Sequence, residues 1–222
     1  MAIGRLITQT RDEPGFVGAP CAGEKGTSAL LWLERLLLLI GAAALGYFLY
    51  VNIETRLYQA MENRELDTIL AAGPPAMPLL SAAPVIIPGS AIGRIEIPRL
   101  GVSSVIRAGV DARTLRLAVG HIPGTALPGR SGNTGLAGHR DTFFRKLQDI
   151  RTFDEIRIVT TAGTFSYEVE RTRIVKPEDT WVLEDTSIPS VTLVTCYPFT
   201  YLGSAPDRFI VRAITPARPL RQ

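Results

Sequence analysis

A run of apolar residues near the N-terminus constrains this chain more than any other feature. Residues 36–50 contain no charged side chain. A helix that crosses a bilayer needs about 20 apolar residues, and the run reaches that length if Glu34 and Arg35 lie at the headgroup boundary. We therefore predict one transmembrane helix over 30–51. A buried helix in the core of a soluble protein is the alternative.

The charges around this run predict its orientation. Four basic residues precede it and two follow within a comparable distance: Arg5, Arg11, Lys25 and Arg35, then Arg56 and Arg64. The positive-inside rule then places the N-terminus in the cytoplasm and the bulk of the chain outside it. A cleavable signal peptide fits less well, because the run starts some thirty residues into the chain and no small-residue cleavage site follows it.

Composition shifts divide the remaining chain. Residues 1–29 are rich in Gly and Pro and are predicted to be a flexible cytoplasmic tail. Residues 52–90 begin with helix formers and end in a segment with five prolines, which predicts a helical stalk followed by a stiff linker. The folded domain is predicted over 91–217, and 218–222 is predicted to be a tail.

The predicted domain is mainly β. Seven short segments favour strands: 92–97, 102–107, 134–138, 155–160, 164–175, 191–195 and 209–214. A short helix is expected over 111–117, capped by Asp111, with helical turns at 143–148 and a loop or short helix over 177–181. Seven or eight short strands separated by turn residues are typical of a closed barrel.

Composition and charge exclude several functions. Apolar residues make up 46% of the chain and charged residues 20%, which is enough for a real core. The net charge of +3 is scattered and includes no basic run, so nucleic acid is not an expected partner. Four acidic residues at 178, 179, 184 and 185 are typical of a solvated loop, so we predict neither a metal nor another cofactor.

The two cysteines, Cys21 and Cys196, are expected on opposite sides of the membrane. They cannot then form a disulfide, and the chain has no CxxC pair for zinc or redox chemistry. Cys196 is left as a lone thiol in an extracytoplasmic domain, where it is a liability unless it is buried or used.

Three segments carry residues suited to thiol chemistry. A β-favouring run, TLVTC, delivers Cys196 to a strand end, and Pro198 stops the strand there. A second short strand delivers His139, and Arg208 starts the final strand. A nearby imidazole and guanidinium favour the thiolate, the histidine can protonate a leaving amine, and the arginine can bind a developing oxyanion.

These residues resemble the sortase family. TLVTC is similar to the family's TLxTC motif, His139 lies 57 residues before Cys196, and Arg208 lies 12 residues after it. The segments GHIPGTALPG, AGHRDTFF, TCYPF and APDRF most resemble class D sortases. The resemblance implies an eight-stranded sortase-type β-barrel with short helices, preceded by one N-terminal membrane anchor.

The resemblance also implies a mechanism and partners. Cys196 would cleave an LPxTG-like sorting signal on a secreted protein and form a thioacyl enzyme. An amine from a cell-wall precursor or another protein would then resolve that intermediate. His139 would be the acid and base, Arg208 would stabilise the oxyanion or orient the substrate, and Thr195 and His121 would bind substrate. The segment before the domain lacks the Asp-Pro-aromatic lid of pilin-polymerising class C sortases.

Two alternatives stay open from the sequence. A membrane-tethered thiol hydrolase would use the same three residues and differ only in releasing the acyl group to water. A non-catalytic binding module would form no covalent adduct with a signal peptide. An L,D-transpeptidase fits less well, because its cysteine would follow a histidine closely in a Gly-rich segment, and Cys196 does not.

Overall fold

The computed structural model describes residues 25–71, 87–201 and 203–216. It contains two α-helices, α1 (Lys25–Ala71) and α2 (Ala112–Leu117). The strands are β1 (Ala91–Ile97), β2 (Val102–Ala108), β3 (Val119–His121), β4 (Asn133–Ala137), β5 (Glu155–Thr160), β6 (Gly163–Val175), β7 (Ser190–Tyr197) and β8 (Asp207–Ile214). Short 3-10 helices occupy Pro98–Leu100, Arg145–Asp149 and Thr180–Leu183.

Helix α1 contains both the predicted transmembrane segment and the predicted stalk. It begins at Lys25, so the last five residues of the predicted tail, 25–29, are helical. Once an apolar helix has nucleated, each added residue gains a backbone hydrogen bond, which favours extension at its ends. Side chains from Ala29 to Tyr50 are all exposed, and this helix is long and apolar enough to cross a membrane.

Eight strands close into a barrel in the order β1-β2-β3-β4-β7-β8-β6-β5, with β5 returning to β1. This confirms the predicted eight-stranded barrel. The seven predicted segments all contain strands, and Asp111 caps α2 by accepting hydrogen bonds from the backbone of Arg113 and Thr114. The strand that sequence reasoning missed is β3, three residues long and parallel to β2.

Apolar side chains from all eight strands fill the barrel interior. Its largest fully buried members include Ile95, Ile106, Leu136, Phe144, Tyr167 and Leu193. Burial of side chains of this size contributes about 1.5–3 kcal/mol each relative to leaving them in water. This core fixes the positions of the strand ends on which the site residues lie.

The chain's contacts divide it into two compact units, Met1–Leu49 and Tyr50–Gln222, so the second part of α1 belongs with the barrel. Gln59 joins this second part of α1 to the barrel, within the same unit. Its Oε1 accepts from the Val105 amide at 2.9 Å, and its Nε2 donates to the Leu117 carbonyl at 2.7 Å. Arg94 also forms an ion pair with Asp67 at 2.9 Å.

The remaining domain limits stay predictions. The Pro-rich linker falls largely on 72–86, and the predicted tails fall on 1–24 and 218–222, all of which lie outside the described residues. The predicted stalk, by contrast, is described over 52–71 and is helical. Its side chains contact β1, β2 and the end of α2 through the bonds of Gln59 and Asp67.

Candidate active site

Strand β7 carries Cys196 at its C-terminal end, directly opposite Arg208 of β8. The two strands are antiparallel, and their register pairs Cys196 with Arg208 and Thr195 with Phe209. Residues directly opposite in an antiparallel pair project to the same face, with Cβ atoms about 4.5–5.5 Å apart. The predicted nucleophile and the predicted arginine are therefore neighbours on one face of the sheet.

The two faces of β7 have different environments. Val191, Leu193 and Thr195 project into the barrel, where they are almost fully buried. Successive side chains alternate, so Val194 and Cys196 project to the outer face, and both are half-buried. The Cys196 thiol is free. Attack on a substrate needs such an accessible thiol on a rigid backbone, and β7 provides one.

His139 follows the strand that lies on the other side of β7. Strand β4 is parallel to β7 and pairs Ala137 with Val194, and the Gly138 amide extends this ladder with a 3.1 Å bond to the Val194 carbonyl. Two more residues along the same register bring His139 level with Cys196. His139 is exposed, and its carbonyl accepts from the Phe144 amide at 3.1 Å, which closes the turn that follows it.

Gly138 allows the chain to enter this turn. A Cβ at this position would lie 2.7 Å from the ring of Phe144, which is fully buried in the core. That separation is shorter than a normal contact, so a larger residue would require the turn or the Phe144 ring to shift. The small residue before His139 is thus required by packing.

Thr195 connects the nucleophile strand to the His139 turn. Its Oγ1 donates to the Gly138 carbonyl at 2.7 Å, and the side chain is 2% exposed. The hydroxyl therefore lies on the inner face of β7, behind Cys196. Its assignment as a substrate-binding residue stays a prediction, and the contact the structure shows is with the backbone beside His139.

His121 lies at the end of β3, which pairs with β4 through Leu136. The ring is 3% exposed, and its Nε2 lies 3.0 Å from the Ala126 carbonyl and 3.2 Å from the Thr125 hydroxyl. Burial lowers the pKa of His121 from its ordinary value, and the Ala126 carbonyl opposes that shift. These contacts hold the β3–β4 loop, and a role in substrate binding stays a prediction.

Arg140 is a site residue that sequence reasoning missed. Its Nη2 donates to the carbonyls of Tyr201 at 2.6 Å and Gly203 at 3.0 Å, and its guanidinium lies 5.9 Å from the centre of the Tyr201 ring. These bonds tie the turn after His139 to the loop between β7 and β8. A cation directly after the histidine was the available signal, but its partners lie about 60 residues away.

Arg208 is held by the backbone around it. Its Nη1 donates to the carbonyls of Asp207 at 3.0 Å and Ala205 at 3.3 Å. The neighbouring Asp207 carboxylate forms an ion pair with Lys176 at 2.7 Å. Within the described ranges, Asp207 forms no ion pair with Arg208. The guanidinium therefore keeps donors for an additional acceptor, as oxyanion stabilisation requires.

A network of hydrogen bonds holds the β6–β7 connection against the outer face of β4 and β7. Thr192 donates to the Asn133 Oδ1 at 2.8 Å, and the Asn133 Nδ2 donates to the carbonyls of Val182 at 3.1 Å and Glu184 at 3.2 Å. Asp185 accepts from the Asn133 amide at 3.1 Å. Two of the four acidic residues of this segment, Asp179 and Asp185, thus accept hydrogen bonds from the protein itself.

Comparison with known proteins identifies the family. The model of the sortase domain matches residues 95–215, which include all three strand-end residues. The chain belongs to the sortase family. The curated Sortase D of Bacillus subtilis (strain 168) is 38% identical over 124 residues, which are 55% of this chain and 63% of that protein. The chain thus matches less than two thirds of the length of that relative.

Solved sortase structures support the same assignment. A Sortase D5 transpeptidase from Clostridium perfringens is 34% identical with a TM-score of 0.55, covering 60% of this chain and 82% of that one. Sortase C-1 from Actinomyces oris is 30% identical with a TM-score of 0.54, covering 70% and 99%. The two relatives named Sortase D and Sortase D5 support the class D resemblance of the sequence.

Proposed function

We propose that this sortase is a cysteine transpeptidase that cleaves an LPxTG-like sorting signal and transfers the protein to an amine. The observation that carries the proposal is the placement of Cys196, Arg208 and the His139 turn on three adjacent strands, β7, β8 and β4. The three residue types at neighbouring strand ends would supply a nucleophile, an oxyanion donor and a proton carrier.

The first half-reaction forms a thioester. The Cys196 thiolate attacks the carbonyl carbon of the signal's threonine, and Arg208 donates to the oxyanion of the tetrahedral intermediate. His139 gives a proton to the departing amine as the peptide C–N bond breaks. The N-terminal part of the substrate stays on Cys196, and the C-terminal part leaves.

The second half-reaction reverses these roles. An incoming amine attacks the thioester carbonyl, His139 takes a proton from it, and the Cys196 thiolate is released as the new amide bond forms. Water in place of the amine would give a carboxylic acid and make the protein a hydrolase. The outcome depends on which nucleophile reaches the exposed side of the thioester beside His139.

The activity is tested on the full chain in detergent micelles. The protein is incubated with peptides containing LPETG or LPETA, with and without an added oligoglycine amine, and products are separated by mass. We expect an amide between the peptide's threonine and the amine. Hydrolysis alone, with amine present, would make the protein a thiol hydrolase. No reaction with a folded protein would favour a non-catalytic binding module.

We also propose a single-pass topology with the N-terminus in the cytoplasm and the catalytic domain outside. The apolar part of α1 and the basic residues that precede it support this orientation. Labelling of the two cysteines from outside the cell tests this topology directly. In intact cells, a membrane-impermeant maleimide should label the Cys21→Ala variant, through Cys196, and should spare Cys196→Ala until the membrane is permeabilised. The opposite labelling pattern would reverse the topology.

A further inference from the structure

A cavity of about 200 Å³ lies beside the β6–β7 connection, on the side of the barrel that carries the candidate active site. Arg173 of β6, Trp181 of the connection, and Ile210 and Arg212 of β8 line it. None of these residues takes part in the chemistry proposed for Cys196. An arginine-rich cavity next to a peptide-cleaving site raises the question of what it holds.

The strand register shows that the cavity and the active site share one continuous face. On β8, Arg208 is opposite Cys196, Ile210 is opposite Val194, and Arg212 is opposite Thr192. Alternate residues project to the same face, so these three β8 side chains follow one another along it. At about 3.3 Å per residue, Arg212 lies about 13 Å along the strand from Arg208.

Two guanidinium groups in this cavity lack an anionic partner among the described residues. Arg212 donates through Nη1 to the Thr192 hydroxyl at 3.2 Å, whereas its buried Nε has no hydrogen-bond partner among the residues that the structure describes. Arg173 lies over the Trp181 ring at 5.5 Å and forms no ion pair within the described ranges. Arg212 is partly buried, whereas Arg173 is exposed at the edge of the cavity. Cations without a counter-ion leave room for an external anion, most of all where one of them is partly buried.

The other charged side chains that line the cavity do not form ion pairs with Arg173 or Arg212 within the described residues. Arg171 is paired with Glu170 at 2.8 Å. Asp185 directs its Oδ1 to the amides of Asn133 and Thr186. Glu184 also lines the cavity, and no ion pair joins it to an arginine in the part of the chain that the structure describes. Burial, with the charge of Arg171, lowers the pKa of Arg212 from its ordinary value.

We propose that Arg173 and Arg212 bind the carboxylate of an acidic residue that immediately precedes the sorting pentapeptide of the substrate. The inference rests on the proposed transpeptidase function and adds a specificity determinant to it. The residue before the pentapeptide lies four residues upstream of the attacked threonine. An extended peptide spans about 13 Å over that length, which matches the spacing from Arg208 to Arg212.

The chemistry indicates which half of the substrate occupies this cavity. The acyl half stays on Cys196 through both half-reactions, whereas the other half leaves after the first. Contacts with the acyl half therefore act throughout the cycle. The β6–β7 connection forms one wall of the cavity, and Asn133 holds that wall against the sheet by donating to the carbonyls of Val182 and Glu184. A wall held in this way can keep contact with the acyl half through both half-reactions.

The test measures kcat/KM for acyl-enzyme formation with three peptides that share one pentapeptide, either LPETG or LPETA. The three peptides carry Glu, Gln or Lys immediately before that pentapeptide. The full chain in detergent is used, and adduct is quantified by intact mass. We expect the kcat/KM of the Glu peptide to exceed that of the Gln peptide about tenfold, as for a charge-assisted hydrogen bond, with the Lys peptide slowest. Added salt should reduce the difference.

Variants separate this inference from the proposed function. Arg173→Gln and Arg212→Gln should each reduce the preference for Glu over Gln while the Gln peptide still reacts. Arg113→Gln, which removes an exposed arginine from α2, is the matched control and should keep the preference. Equal rates for the three peptides, or a preference for Lys, would overturn the inference and leave the transpeptidase intact. Absence of adduct with every peptide would overturn both.

Discussion

The two faces of β7 differ in what they do, although they alternate residue by residue along one strand. The inner face, Leu193 and Thr195, is buried against the core and the His139 turn. The outer face, Val194 and Cys196, is half-buried beside β8 and its arginines. A strand has a period of two, so one short segment can hold the nucleophile on a rigid floor without exposing the core. Substitutions on the two faces should therefore affect different measurements.

The outer face, where Cys196 of β7 lies opposite Arg208 of β8, should affect activity with little effect on stability. Arg208→Lys keeps the positive charge but replaces the planar fork that donates to the oxyanion. We expect kcat/KM for acyl transfer to fall about 10²–10³-fold, as when one oxyanion donor is lost. The melting temperature should stay within about 2 °C of the parent. A large loss of melting temperature would show that Arg208 supports the fold instead.

The inner face should affect stability first. Leu193 is fully buried in the core, so Leu193→Ala should lower the free energy of unfolding by about 3 kcal/mol. Denaturant unfolding measures this loss. Below the transition, the kcat/KM of the variant should exceed that of Arg208→Lys. If Leu193→Ala were the less active of the two while still folded, the separation of the faces would fail.

Substitution of Thr195 should affect both stability and activity, because this inner-face side chain bonds to the turn that carries His139. Thr195→Val removes the bond to the Gly138 carbonyl while keeping the volume, and should cost about 1 kcal/mol of stability. We expect kcat/KM to fall about tenfold through a displaced His139. The matched variant Thr195→Ser keeps the hydroxyl and should retain most activity. Equal losses in both variants would contradict a hydrogen-bonding role.

The buried histidine, His121, extends the comparison to pH. His121 is buried, and its folded-state pKa lies below its ordinary value of 6.5. Below about pH 6.5 the unfolded chain therefore binds more protons than the folded one, and stability falls as pH falls. In a thermal scan from pH 7 to pH 5, His121→Gln should lose less melting temperature than the parent. An unchanged pH slope would show that other groups cause the decline.

The strand ends of the site could be predicted because each has a local signal. TLVTC followed by Tyr197-Pro198 reads as a strand that stops, and β-branched residues mark the neighbouring strands. Register has no such local signal, since the pairing of Cys196 with Arg208 depends on the whole β7–β8 ladder. The sequence therefore predicted candidate residues, and the structure supplied the register that places Cys196 and Arg208 on one face.

Other features depend on partners far away in the chain. β3 is three residues long and exists through its parallel pairing with β2, so its own sequence carries no strand pattern. The bonds of Gln59 to Val105 and Leu117 cross about 46 and 58 residues. The partners of Arg140 and Asn133 are equally distant. In the sequence, polar side chains of this kind cannot be distinguished from ordinary surface residues, because their hydrogen-bond partners are close only in the folded chain.

The most direct test of the account is to locate the covalent intermediate. The full chain in detergent is mixed with an LPETG or LPETA peptide, quenched in acid, digested and analysed by tandem mass spectrometry. The proposed mechanism predicts the peptide's N-terminal part, ending at threonine, as a thioester on Cys196. Cys196→Ala should carry none, and His139→Gln should accumulate it far more slowly. An acyl group on another residue, or an equal adduct in Cys196→Ala, would contradict the account.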